Sequence, residues 1–221
     1  TLTFDGTAGE VETITVAITN DNLFEGTENF TVSLGTPTNG VTAIGSPATG
    51  TITDDDTALL TITNETVAED VAGGNMVFTV TLDNAVAGGP QVDYTFTDGT
   101  ATNGADYTGT PGTLNFTGTA GETDNITVPI IDDGLVEGTE TFTVTLETPS
   151  NGVGTSGSPA TGSITNDDSA SISVNDPTPV NEGDTGIQSI PFTVTLGQSD
   201  PTAPITVNYL ISGGNEDTTS S

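Results

Sequence analysis

The residues of this chain equipped for chemistry are carboxylates. Asp132, Asp133, Glu137 and Glu140 fall together on one stretch between apolar runs, and Asp167 and Asp168 close a later one. Glu69 and Asp70 follow a short apolar alternation, and Asp106 stands before Tyr107 in a Gly-rich segment. None of them has a cation to pair with, because 31 Asp and Glu are set against no Lys, Arg or His, a formal charge of -31. Carboxylates brought close together repel by roughly 1–4 kcal/mol per pair, depending on screening. If the fold gathers these acids at one end of a domain, a positive partner is needed there. About six to eight oxygen ligands in mixed mono- and bidentate geometry are what Ca²⁺ takes, whereas Mg²⁺ keeps more water.

The same composition closes off other chemistries. Phosphate backbones and anionic membrane surfaces are held through Lys and Arg, so neither nucleic acid nor an anionic membrane surface is expected as a partner. With no Cys or His, thiolate and imidazole nucleophiles and zinc sites cannot be assembled. Paired carboxylates serve glycosidases, but these need an aromatic cleft, and the chain has no Trp and three Tyr. Tyr94, Tyr107 and Tyr209 read as core or corner residues, and no enzyme activity is expected. Isolated acids such as Asp83, Asp93, Asp124 and Glu147 read as solvated. No apolar run is long enough to span a membrane, and neither a leader nor an initiating Met is present. The expectation is a mature product or an excerpt, with any targeting signal outside it.

What must position the acids is a repeat. Residues Leu2 to Ile62 align without a gap on Leu114 to Val174, an offset of 112. Phe24-Glu25-Gly26-Thr27-Glu28-Asn29-Phe30 falls on Val136-Glu137-Gly138-Thr139-Glu140-Thr141-Phe142, and Gly45-Ser46-Pro47-Ala48-Thr49-Gly50 recurs from Gly157 to Gly162. Phe78-Thr79-Val80-Thr81-Leu82 recurs from Phe192 to Leu196 with a two-residue drift. That period is too long for a solenoid and suits one sandwich domain. Within it the apolar residues alternate with Thr: Phe78, Val80, Leu82, then Ile126, Val128, Ile130, then Phe142, Val144, Leu146. Period two with Gly, Pro, Asn and Asp between runs predicts half-buried strands, about seven per period. They are expected near Leu59–Thr63, Met76–Leu82, Val92–Thr97, Thr113–Thr117, Asp124–Ile130, Glu140–Glu147 and Gly162–Asn166.

The fold class is therefore all-β, tandem immunoglobulin-like antiparallel sandwiches. If Asp54-Asp55-Asp56 and Asn166-Asp167-Asp168 mark domain ends, residues 57–168 form a complete domain. Residues 1–56 are then the C-terminal half of one copy and 169–221 the N-terminal half of another. The junctions contain no Gly, Ser or Pro linker, which restricts hinge motion.

Taken in order, Asp98-Gly99-Thr100-Ala101, Gly104-Ala105-Asp106-Tyr107, Gly121-Glu122, Ile131-Asp132-Asp133, Glu137-Gly138-Thr139-Glu140-Thr141-Phe142 and Gly162-Ser163-Ile164-Thr165-Asn166-Asp167-Asp168 resemble the Calx-beta domain family. The resemblance spans the chain in one complete and two partial copies. It implies a seven-stranded sandwich that binds a Ca²⁺ cluster at one tip. The ligands it implies here are Glu69, Asp106, Asp132, Asp133, Glu137, Glu140, Asp167 and Asp168. The first copy would supply Asp21, Glu25, Glu28, Asp54, Asp55 and Asp56, and the third begins with Glu182. Two positions depart: Asn20 stands where Asp132 stands, and Asn166 where Asp54 stands, each removing one charge.

Two functions follow from this reading. One is an extracellular or cell-surface structural or adhesive array in which Ca²⁺ stiffens repeated sandwiches into a rod or filament. The other is a calcium-sensing regulatory module. Near-identical copies favour the first, since a spacer needs repetition. Ca²⁺ is also the remaining staple where neither disulfides nor Lys-Asn isopeptide bonds can form. The partners expected are neighbouring copies, met head to tail by continuation of one long chain or by the next subunit of a filament. The two terminal half-domains would then complete each other.

Overall fold

The computed structural model describes residues 1–181, 183–198 and 204–213. In chain order the strands are β1 (Leu23–Phe24), β2 (Glu28–Val32), β3 (Ala48–Ile52), β4 (Leu59–Ile62), β5 (Glu65–Ala68), β6 (Asn75–Leu82), β7 (Ala85–Val86) and β8 (Gln91–Asp98). They continue with β9 (Gly112–Asn115), β10 (Thr123–Pro129), β11 (Glu140–Leu146), β12 (Gly154–Ser156), β13 (Ala160–Thr165), β14 (Ile172–Val174) and β15 (Val194–Leu196). One 3₁₀ turn at Ser150–Gly152 is the helical element among the described residues.

Alternation builds the middle segment directly. On β6 every second side chain, Met76, Phe78, Val80 and Leu82, points inward and is fully buried, while Val77 and Thr79 face water. Antiparallel pairing with β10 sets Ile126 opposite Phe78 and Val128 opposite Met76. The resulting sheet, ordered β10-β6-β4-β12, faces a second one ordered β5-β13-β11-β8-β9. Phe142, Val144 and Leu146 enter the shared core from the second sheet. Each such side chain removed from water contributes about 1.5–3 kcal/mol. Tyr107 lies flat on Phe142, ring centroids 4.0 Å apart, and Phe78 meets Phe142 edge-on at 6.0 Å. Gly162 crosses beneath this cluster, where any Cβ would run into the Phe142 ring and the Met76 sulfur. Gly50 stands in the same relation to Phe30 in the front segment. Among the described residues, every buried hydrophobic one lies between Ala58 and Ile164.

The sandwich departs from a purely antiparallel plan at two edges. The first predicted strand, Leu59–Thr63, is β4 and stays in one sheet; after Thr63-Asn64 the chain crosses to the other as β5, a strand not predicted from the sequence. There β5 runs parallel to β13, Ala68 opposite Thr165, and β12 runs parallel to β4. The chain running through β4 and β5 thus meets a same-direction neighbour in each sheet, and each pairing covers an edge that would otherwise stay open.

The terminal segments repeat these registers. In front, β2 pairs β3 with Glu28 opposite Ile52, as β11 pairs β13 with Glu140 opposite Ile164. Behind, β14 pairs β15 with Ile172 opposite Leu196, as β4 pairs β6 with Leu60 opposite Leu82. Their apolar faces are open. Ile14 is 47% exposed, whereas its counterpart Ile126 in the middle segment is 1% exposed. Residues 11–17, counterparts of β10, form no strand, because the strand that would pair with them is not present beside them.

Candidate metal centre

Strand direction carries the acids to one end of the middle sandwich. β5, β8, β10 and β13 finish there and β11 starts there, since β11 is antiparallel to both β8 and β13. Parallel pairing lays the end of β5 along the end of β13, and the Glu69 amide donates to the Thr165 carbonyl at 3.0 Å. Glu69 is thereby set beside Asp167 and Asp168, and one oxygen from each of the three lies within 4.8 Å of the others. A second trio, Asp106, Glu137 and Glu140, is equally close. Oxygens on one Ca²⁺ at about 2.4 Å stand no more than about 4.8 Å apart, so each trio matches a single ion.

The two trios adjoin, as their electrostatics show. The Glu69 carboxyl is pushed up to about 7 by burial, and then by the charges of Asp133, Glu137 and Asp168. Burial likewise pushes Glu140 up to about 7, followed by Asp106, Glu137 and Glu69. Glu137 rises through burial and then Asp133 and Asp106. Asp167 rises through burial and then Asp70, Asp132 and Asp168. All eight acids implied in the middle segment thus stand in one connected field, Asp132 beside Asp167 and Asp133 between Glu69 and Glu137. Asp70, part of the acidic cluster legible in the sequence but not of the implied ligand set, joins it beside Asp167.

The loops are held by hydrogen bonds that spare carboxylate oxygens for a ligand. Asp133 Oδ1 accepts the Leu135 amide at 2.7 Å. Asn166 Oδ1 accepts the Glu137 amide at 3.0 Å, and its Nδ2 donates to the Asp168 carbonyl at 2.9 Å. Asn166 is therefore a clasp between the loop and the domain end, a task the sequence did not reveal. In front, Asp54 does the same work, Oδ2 accepting the Glu25 amide at 2.9 Å and Oδ1 the Asp56 amide at 3.2 Å. A side-chain oxygen is what the position requires, which either residue supplies. Asp106 is presented by a tight loop: its Oδ2 accepts the Thr102 amide at 2.6 Å, and the next residue, Tyr107, donates its hydroxyl to Asp98 Oδ1 at 2.6 Å. Glu122, by contrast, lies at the start of β10, away from this end. It accepts the Thr117 amide at 2.8 and 2.9 Å and acts as a turn clasp, as Glu10 does for Asp5.

In the front segment Asp54, Asp55 and Asp56 form a third trio. Asp21 lies close enough to raise both Asp56 and Glu25, after burial in each case, and Glu28 also raises Glu25. An open cleft of about 600 Å³ separates Val16–Asp21 from Asp54–Asp56. In the middle segment β5 occupies the corresponding flank of β13. Glu182 lies outside the described residues.

A bound cation fits this donor set. Asp168 Oδ2 is fully enclosed and has no hydrogen-bond partner, and it belongs to a trio made of carboxylates alone. An enclosed carboxylate oxygen without a donor is costly, and a hard cation on oxygen ligands removes that cost. Glu69, Asp167 and Asp168 would hold one ion and Asp106, Glu137 and Glu140 a second, with Asp132 and Asp133 at their flanks.

The Calx-beta domain matches residues 1–58 and, again, residues 53–178. The chain belongs to the Calx-beta domain family. Among solved structures it is similar to the apo form of the Calx CBD1 domain, with 28% identity over 51% of this chain and 100% of that one and a TM-score of 0.47. It is also similar to CBD12 from CALX1.2, with 29% identity, 50% and 46% coverage and a TM-score of 0.46. A third likeness is to the calcium binding domain CBD12 of CALX1.1, with 29% identity, 49% and 44% coverage and a TM-score of 0.45. The chain thus spans less than half the length of either CBD12 structure. No curated protein matches it.

Proposed function

We propose that the chain is part of a calcium-binding structural array, extracellular or cell-surface, in which Ca²⁺ rigidifies successive sandwiches into a rod or filament. The observation that carries the calcium reading is the pair of adjoining carboxylate trios with the enclosed, unpartnered Asp168 Oδ2. Repetition supports the structural role: the front loop and domain end repeat the acids of the middle segment's loop and domain end apart from Asn20, loop clasp included. Residues 57–168 act as one complete unit, and the segments on either side are halves of further units. Extracellular modules bind Ca²⁺ at about 10⁻⁴–10⁻³ M, sensors at about 10⁻⁷–10⁻⁵ M, so affinity separates this role from regulation.

The partner of each terminal segment is a neighbouring copy, on the same or another chain, met head to tail. Exposed Phe4, Ile14, Val16 and Ile18 are counterparts of buried Phe116, Ile126, Val128 and Ile130. Exposed Ile190, Phe192, Val194 and Leu196 are counterparts of buried Met76, Phe78, Val80 and Leu82. Pairing 11–17 of one copy with 189–196 of another would rebuild the β10–β6 register and cover both faces. No catalytic role is assigned to the acids.

Titration calorimetry of the 221-residue chain with CaCl₂ and MgCl₂ tests this reading. Saturable Ca²⁺ binding near millimolar, with Mg²⁺ much weaker, is expected. Micromolar or tighter binding would favour the sensing role, and no saturable heat would overturn the metal assignment. Val16→Asp should reduce concentration-dependent association if the faces pair as described.

A further inference from the structure

Beyond the acids it carries, the loop at 21–26 makes a contact that the calcium site does not require. Its strand β1 leaves the front segment and pairs in parallel with β7 of the middle one, Leu23 opposite Ala85 and Phe24 opposite Val86. The Ala87 amide donates to the Phe24 carbonyl at 2.9 Å, and the Phe24 ring packs on the core of the middle segment, facing Gly152. The turn that receives it is anchored to the chain leaving the front segment. Asp83 Oδ1 accepts the Leu59 amide at 2.7 Å, and Asn84 Nδ2 donates to the Thr57 carbonyl at 2.8 Å.

The second junction is built from the same places in the repeat. Gly197, the counterpart of Asp83, donates its amide to the Ser171 carbonyl at 2.7 Å, as Asp83 does to Leu59. Gln198, the counterpart of Asn84, reaches back to the acidic loop of the middle segment and donates Nε2 to the Gly134 carbonyl at 3.0 Å. Gly134 is the counterpart of Asn22, beside Leu23. Two junctions with different local sequences thus bring the same two loops together.

We infer that this loop is also the inter-repeat joint, in which an apolar two-residue strand at its tip, Leu23–Phe24, docks on the 83–87 turn of the following repeat and fixes the angle between successive units. The partner this surface fits is the next copy of the repeat. The β-ladder and the Phe24 contact are neutral and packed, so the joint holds by backbone pairing and apolar burial rather than by charge. Val136 stands at the Phe24 position in the next copy, so that position is apolar in both. The inference rests on reading the chain as an array, not on its metal.

The chain has no cysteine, which makes the test clean. Ladder partners lie about 4.8 Å apart, within the span a disulfide bridges. Leu23→Cys with Ala85→Cys, both at half-buried peripheral positions, should cross-link within one chain under mild oxidation at least tenfold faster than Leu23→Cys with Asn125→Cys. The measurement is made in Ca²⁺ and in chelator, so failure of the calcium reading appears in melting and titration while the cross-link remains. Adding Phe24→Val should preserve the rate and adding Phe24→Ser should slow it several-fold. In the unsubstituted chain the Ala87 amide should exchange slowly, and faster in Phe24→Ser. Equal rates for the two cysteine pairs, or a rate and an Ala87 exchange both unmoved by Phe24→Ser, would overturn the joint.

Discussion

Replacing Glu69 by Gln separates a metal ligand from a structural residue, because the two roles predict opposite signs. Glu69 is 5% exposed, and its carboxyl is pushed from 4.5 up to about 7. At about 1.4 kcal/mol per pKa unit, keeping that charge at about pH 8 costs the metal-free fold about 3 kcal/mol. Gln keeps the shape and an acceptor oxygen but not the charge. In chelator, Glu69→Gln should therefore raise the melting temperature by on the order of 10 °C for a domain of this size. In Ca²⁺ that advantage should shrink by about 1 kcal/mol, since one carboxylate of the cluster is lost. With Ca²⁺ at about 100 times the parent Kd, the ion adds about 2.7 kcal/mol, and a tenfold weaker site keeps about half of that. Calorimetric melting of parent and variant, each in Ca²⁺ and in chelator at fixed ionic strength, measures all four terms. A variant that melts lower in chelator, or gains as much from Ca²⁺ as the parent, refutes the placement of Glu69 at a cation site.

Three further outcomes are expected. In chelator, Glu69 and Glu140 hold protons up to about 7 that the unfolded chain releases near 4.5. The stability they add is present below about pH 4.5 and is lost as pH rises through about 7, so the melting temperature should fall across that window, and a rise would contradict it. Glu137→Gln or Asp133→Asn should weaken Ca²⁺ binding by about tenfold or more, each removing one charge from the acidic cluster, while Asp124→Asn, whose carboxylate holds only the Asn125 amide, should leave it unchanged by calorimetry. Gly162→Ala drives a methyl into the Phe142 ring and the Met76 sulfur and should cost about 1–3 kcal/mol in denaturant melts, with Ca²⁺ affinity less affected.

Local information sufficed for much of the architecture. Repetition at a fixed offset and alternation of apolar residues with Thr are properties of the chain itself, and they placed β4, β6, β8, β9, β10, β11 and β13 and the inward faces of β6, β10 and β11, but not the short β5, β7 and β12. The acidic runs were legible for the same reason, as was the chemistry open to a chain without cations. Which acids meet was decided elsewhere. Glu69 is carried to Asp167 and Asp168 because β5 changes sheet and pairs in parallel with a strand far along the chain, and no period reports a crossover. That pairing also draws in Asp70. Asp54 and Asn166 looked like a charge gained or lost between copies, yet their oxygens clasp a loop amide, a role set by the position of Glu25 and Glu137 in space. Glu122 belonged to the recognisable pattern and turned out to close a turn at the start of β10. The contact of Phe24 with the 83–87 turn joins different repeats, and alternation within one strand cannot specify what lies across a junction. Side-chain period follows from the backbone of a single strand, whereas the meeting of two loops follows from how separate strands pair, and only the folded chain contains that pairing.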